Sequence, residues 1–109
     1  MSIYYNPDDL GLEVVAEDDW GDPYEFDIRV VWLHRESNTL YTARDSGCSC
    51  PSPFEDYNTL ADLMVMNAQV VEEVKGEFGV NSSEWVKLDE AWRAVKREAR
   101  KRNKALKEV

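Results

Sequence analysis

What this chain has little of narrows its chemistry before anything else. Its 109 residues include two cysteines and one histidine. No apolar run reaches the roughly eighteen residues of a membrane-spanning helix. The opening Met-Ser-Ile-Tyr-Tyr-Asn-Pro-Asp-Asp has neither the basic nor the apolar region of a secretory signal. Few thiols and no export signal together imply a reducing, cytoplasmic setting. There is no phosphate-binding glycine loop, no serine nucleophile elbow and no paired-histidine motif. The length suits one domain with one modest core.

Positive charge is also scarce over most of the chain. Residues 1–92 carry twenty acidic and five basic side chains, a balance of −15, whereas residues 93–109 carry eight basic and two acidic ones, a balance of +6. The two give the overall −9. An acidic body repels nucleic acid and attracts basic protein surfaces, and the tail does the reverse. The tail could equally dock on the body of its own chain or of a neighbour.

Hydrophobic periodicity divides the chain in two. Leu12, Val14 and Ala16 alternate with Glu13, Val15 and Glu17, predicting a short strand. Residues 17–23, Glu-Asp-Asp-Trp-Gly-Asp-Pro, are turn chemistry. They lack the ligand order of a calcium loop. Tyr24, Phe26, Ile28, Val30 and Trp32 then fall on one face and Glu25, Asp27 and Arg29 on the other, the clearest strand in the chain. Val31 and Leu33 make the second face apolar towards its end. Thr39–Arg44 reads as a third strand, so residues 1–44 form an antiparallel meander. Residues 45–58 form a Cys/Pro-containing loop.

Beyond the loop the period becomes helical. Leu60, Leu63, Met64, Asn67, Val71, Val74 and Phe78 recur at three and four over residues 59–79, with Thr59 and Asp62 as a capping pair and Gly79 as the stop. A second helix over 81–109 starts at Asn81, with Glu84 as its capping partner and Val80 stapled on Trp85. Trp85, Leu88, Trp92, Val95, Ala99 and Leu106 line one seam; past Ala99 the apolar content is too thin, and the basic end is expected to project or fray. The fold class is α+β: a three-stranded antiparallel meander packed on one face by two C-terminal helices, the second long and basic at its end.

Several of these residues carry a resemblance. Tyr4-Tyr5 with Pro7, residues 11–15 and 24–27, Val31-Trp32, and the run Asp-Ser-Gly-Cys-Ser-Cys-Pro-Ser-Pro-Phe-Glu at 45–55 resemble a family of small proteins encoded by tailed phages of actinobacteria, known only as a domain of unknown function. The resemblance covers roughly the first sixty residues by pattern reading. It implies a phage setting in a host cytoplasm and no particular activity, cofactor or catalytic residue.

Three kinds of site compete. A host-protein contact would use Trp20 among Asp18, Asp19 and Asp22, together with Phe54 and Glu55, an exposed aromatic ringed by carboxylates being suited to a binding hot spot. The bland reading folds Trp20 back over the hairpin. A zinc site would use Cys48 and Cys50 with His34, the fourth ligand coming from Asp45, Glu55 or a second chain. That set is incomplete, and the preferred reading makes both cysteines small buried hydrophobes beneath the sheet. The carboxylates at Asp45, Glu55 and Asp56 would raise a thiol's pKa, which argues against a cysteine enzyme. Nucleic acid could meet Arg93, Arg97, Arg100, Lys101 and Lys104, although the acidic body opposes it. The seam from Trp85 to Leu106 serves the core or a homodimer.

The leading expectation is a non-enzymatic phage accessory protein, without cofactor or membrane contact, that binds a host protein for host takeover or anti-defence. A small metal- or nucleic-acid-binding regulator, a virion assembly component and a mimic of DNA charge are the alternatives.

Overall fold

A computed structural model describes residues 3–48 and 53–108, with side chains through Lys104. Four antiparallel strands lie in the order β1 (Leu12–Asp19), β2 (Glu25–His34), β3 (Thr39–Cys48) and β4 (Met64–Val65). Two helices follow, α1 (Ala68–Phe78) and α2 (Ser83–Glu108). The α+β class and the meander hold, with a fourth strand added and β3 running four residues past Arg44. β2 and β3 pair in unbroken register from Glu25↔Cys48 to His34↔Thr39. β1 carries one bulge between Val14 and Ala16.

The sheet is covered on both faces. Ile28, Val30 and Trp32 of β2, with Leu12 of β1 and Ala43 of β3, pack against Ile3, Phe54 and Leu63 from the N-terminal segment and residues 53–63. Phe54 is completely buried, and it meets the rings of Tyr4, Trp32 and Tyr57 at centroid distances of 5.8, 5.7 and 5.2 Å. Its positive φ of 59°, costly for a bulky side chain, is held by that burial and by its amide donating to Asp45 Oδ2 at 2.8 Å. On the other face Val31, Leu40 and Ala16 pack against Val71, Val74 and Phe78 of α1 and Leu88 and Val95 of α2. The face read from sequence as the core face of β2 is therefore the one without helices.

This arrangement corrects the expected helix over 59–79. Leu63 belongs to one face and Met66 to the other, so the chain crosses the sheet edge between them. A single helix stripe cannot serve both faces. The segment instead makes a short 3-10 turn (Leu60–Asp62), the two-residue β4 against Tyr41 and Thr42, and then α1. Thr59 and Asp62 do pair: Asp62 Oδ2 accepts from the amides of Asn58 and Thr59 at 2.9 and 3.0 Å, but they close the turn. The cap of α1 is Asn67, whose side chain accepts from Val70 N at 2.9 Å. Gly79 ends α1 with φ 92°, its amide donating to the Lys75 carbonyl. α2 is capped by Ser82, whose hydroxyl accepts from Trp85 N at 3.0 Å, rather than by Asn81.

Glu84, expected to complete a cap, does something else. Its Oε2 accepts from the amide of Glu17 at 2.7 Å, occupying a backbone donor on the edge strand β1 and fixing where α2 begins. At the far end, Asn38 Nδ2 donates to the Val95 carbonyl at 2.8 Å, and the Arg102 guanidinium donates to the carbonyls of Glu36 and Arg35 at 3.1 and 3.3 Å. The helix beyond Ala99 is thus pinned to the β2–β3 turn by hydrogen bonds where apolar contact has run out. Lys75, nearly buried, joins the two helices through Asp89 at 2.6 Å and lies 4.8 Å from the Trp85 ring centre.

The N-terminal segment is tied down by Tyr4, whose hydroxyl donates to Glu17 Oε1 at 2.8 Å. Burial first, and then that hydrogen bond, push the Tyr4 phenol up to about 12. The unfolded chain ionises this group near pH 10. Its stabilising contribution is therefore complete below pH 10 and is lost as pH rises from 10 through 12. Denaturant titrations at pH 8, 10 and 11 should show Tyr4→Phe less stable than the native chain at pH 8 by about 1 kcal/mol. That deficit should shrink at pH 11.

Candidate functional site

The β1–β2 connection and the end of β3 meet at one end of the sheet. Trp20 N donates to the Asp27 carbonyl at 2.8 Å and closes the hairpin. Asp19 Oδ1 accepts from Gly21 N at 2.8 Å and Asp27 N at 3.2 Å, and Asp22 Oδ1 accepts from Tyr24 N and Glu25 N at 2.8 and 2.9 Å. Short side chains that bond to their own backbone are what this acidic run supplies. Gly21 is obligatory for space: a Cβ there would run into the Glu25 carbonyl and the Phe26 backbone.

These bonds present a cleft of about 560 Å³, lined on one side by Trp20, Asp22, Glu25 and Asp27 and on the other by Ser46, Gly47 and Cys48. Trp20 is 39 % exposed and Tyr24 is 78 % exposed. Trp20 is also braced: its ring stacks near Phe78 at 6.3 Å and has the Arg44 guanidinium 4.7 Å from its centre. The ring therefore folds back over the sheet and keeps an open edge. Tyr24, placed by alternation on a buried strand face, instead stands in solvent. Pairing starts only at Glu25, and Pro23, which has no amide to give a ladder, was the signal.

Arg44, facing Arg29, brings positive charge to this end, and carboxylates neutralise it. Its Nε and Nη2 donate to both oxygens of Asp27 at 2.9 Å, and its Nη1 reaches Glu77 at 2.9 Å. Glu77 also receives a forked pair from Arg29, which lies directly across from Arg44 in the β2–β3 register. One carboxylate at the end of α1 thus separates two facing arginines. Hydrogen bonding to Arg44 holds the Asp27 carboxyl below its usual range, and Asp27 raises the Arg44 guanidinium in turn. The end as a whole stays acidic through Asp18, Asp19, Asp22 and Glu25.

The other sequence-derived sites fare differently. Phe54 is buried and unavailable to a partner; it is the hub of the non-helical face. Glu55 is exposed. Cys48 is exposed on the end of β3, not packed beneath the sheet. His34 and Cys48 lie nine residue pairs apart along one ladder, roughly 30 Å at ~3.4 Å per residue, so they cannot share an ion. His34 instead hydrogen-bonds Ser37 Oγ at 2.6 Å. Cys50 falls outside the described residues. Among the described residues, no three His, Cys, Asp or Glu side chains gather as a metal cage. Leu88 and Val95 are buried against the sheet, so the Trp85–Leu106 seam serves the core over its first half. No described helix is long and apolar enough to cross a membrane.

The chain belongs to the family described as domain of unknown function DUF7574, whose pattern matches residues 1–105. The match takes in α1 and most of α2, well past the sixty residues on which the sequence resemblance rests. No curated protein and no solved structure matches the chain.

Removing the shared carboxylate by Glu77→Ala should leave Arg29 and Arg44 facing one another. The cost should lie between that of an exposed and a buried pair, about 1–2 kcal/mol in denaturant unfolding. Trp20 fluorescence should shift at the same time, because Arg44 packs on that ring.

Proposed function

We propose that this protein acts by binding, without catalysis, and that the aromatic, acidic end of its sheet grips a basic segment of another protein. In this reading it is an accessory protein of an actinobacterial phage and its target is a host cytoplasmic protein. The observation that carries the reading is an open Trp20 edge on a cleft lined by Asp22, Glu25 and Asp27, with the exposed Tyr24 in the same hairpin and Arg44 already paired to Asp27 and Glu77. Aromatic rings held at low entropic cost supply contact area, and an arginine or lysine stem can lie across them while its head meets the carboxylates. The surrounding charge would speed encounter with a basic partner and reject acidic ones.

This reading needs no cofactor, and stoichiometric zinc in elemental analysis of the purified protein would count against it. The direct test uses the immobilised chain as bait in lysate from an actinobacterial host, beside the double variant Trp20→Ala/Tyr24→Ala. A host protein retained by the native chain, lost with the double variant and released by salt is the expected result, with identification by mass spectrometry. Circular dichroism should confirm that the variant is folded. Identical retention by both baits, or none by either, would sink the idea.

A further inference from the structure

The cationic end of α2 has no role in that binding site. Arg93, Arg97, Arg100, Lys101 and Lys104 are all exposed. They recur at spacings of four, three and four, with Lys101 beside Arg100, so they share one stripe turned away from the buried Leu88 and Val95. Arg93 bonds Asp89 at 3.1 Å, whereas Arg97, Arg100, Lys101 and Lys104 have no ion pair among the described residues. The neighbouring Arg102 is the one spent on the fold, through Glu98 and the carbonyls of the β2–β3 turn. That anchor keeps the stripe helical where its own hydrophobic content would not.

We propose that this stripe is a contact surface for the phosphate backbone of duplex nucleic acid, independent of base sequence. The objection from charge was that an acidic body repels nucleic acid. The geometry weakens it. α2 starts beside the acidic hairpin, with Glu84 on the Glu17 amide, and runs away from it. At ~1.5 Å per residue, Arg97 lies about 20 Å and Lys104 about 30 Å from that start. Both distances exceed the ~8 Å screening length at physiological salt. Glu13, Glu90 and Glu98 line one cleft with Arg97, but Glu13 and Glu98 are taken up by Arg35 and Arg102.

A backbone partner fits better than unstacked bases, because the stripe has no aromatic side chain; Trp92 faces the core cluster, and Lys96 lies over it at 5.7 Å. Arginine also forks onto guanine edges, but a row of cations on one exposed helix face first follows the phosphates, which carry the charge.

The test is fluorescence anisotropy of a labelled 20-base-pair DNA of arbitrary sequence, titrated with the full chain at 25, 50 and 100 mM NaCl. Four unpaired cations at ~0.9 released ions each give a log–log slope near −3.6, so affinity should weaken about a hundredfold across that range. The variant Arg97→Gln/Arg100→Gln/Lys101→Gln/Lys104→Gln, which keeps good helix formers, should lose the binding. Trp20→Ala/Tyr24→Ala should keep it, separating this surface from the aromatic end. No anisotropy change at 100 µM protein and 25 mM NaCl overturns the proposal, as does undiminished binding by the glutamine variant. Sedimentation supplies a further refutation: salt-sensitive self-association, lost in the glutamine variant and unaccompanied by duplex binding, would assign the stripe to the acidic surface of a second copy.

Discussion

The fold depends on β2 being apolar on both faces. Val30, Val31 and Trp32 are consecutive, point alternately to opposite sides, and have no exposed surface. Burying each is worth about 1.5–3 kcal/mol, and none can be left to water without forfeiting it. Two layers of cover are therefore required, and both described α-helices lie on the Val31 side. The Val30 and Trp32 side is closed by irregular chain, with Phe54 as its centre and Tyr4, Leu60 and Tyr57 around it. Because β3 must be followed by cover on one face and α1 on the other, the path has to pass round the β3 edge. The two-residue β4 is that passage, with Met64 and Val65 outside and Leu63 and Met66 turned to opposite faces.

This requirement explains what could and could not be read beforehand. The β2 strand, the meander, the stop at Gly79 and the core half of α2 all follow from local period, and they stand. The helix over 59–79 did not survive because Leu60, Leu63 and Val71 have helical spacing but serve different layers; periodicity records spacing, not which surface a residue meets. Phe54, expected with Glu55 at a contact surface, is instead the centre of the missing cover. Tyr24 looked buried because alternation was carried one residue too far. Glu84 had the position of a capping residue, and only the approach of β1, sixty-seven residues earlier, diverts it. Errors concentrate where a long-range contact overrode a sound local signal.

Edge protection follows the same electrostatics as the proposed binding end. β1 is an open edge strand, and its Glu13, Glu17, Asp18 and Asp19 disfavour pairing with a second β1, since like charges would face each other. The carboxylates that discourage sheet-to-sheet association are continuous with those beside Trp20. Selection for a monomer-like edge and for a basic partner would therefore act on the same residues. What distinguishes the two is the aromatic pair, because an edge guard needs charge but gains nothing from an exposed Trp20 and Tyr24.

The polarity of the molecule then has a structural cause. α2 is fixed at its start by a carboxylate on a β1 amide and near its end by a guanidinium on the β2–β3 turn, so it must run the length of the sheet. A helix so anchored carries its C-terminal charges away from the hairpin; folding back would break both anchors. Basic side chains at a helix C-terminus are also favoured by the helix dipole, which makes the tail's composition consistent with its being ordered. The acidic hairpin and the last cations of α2 are thereby set at opposite ends of the helix. Two ends of opposite sign, each open to solvent, are what a protein needs to hold a basic partner and a polyanion at the same time without its own charges competing for either.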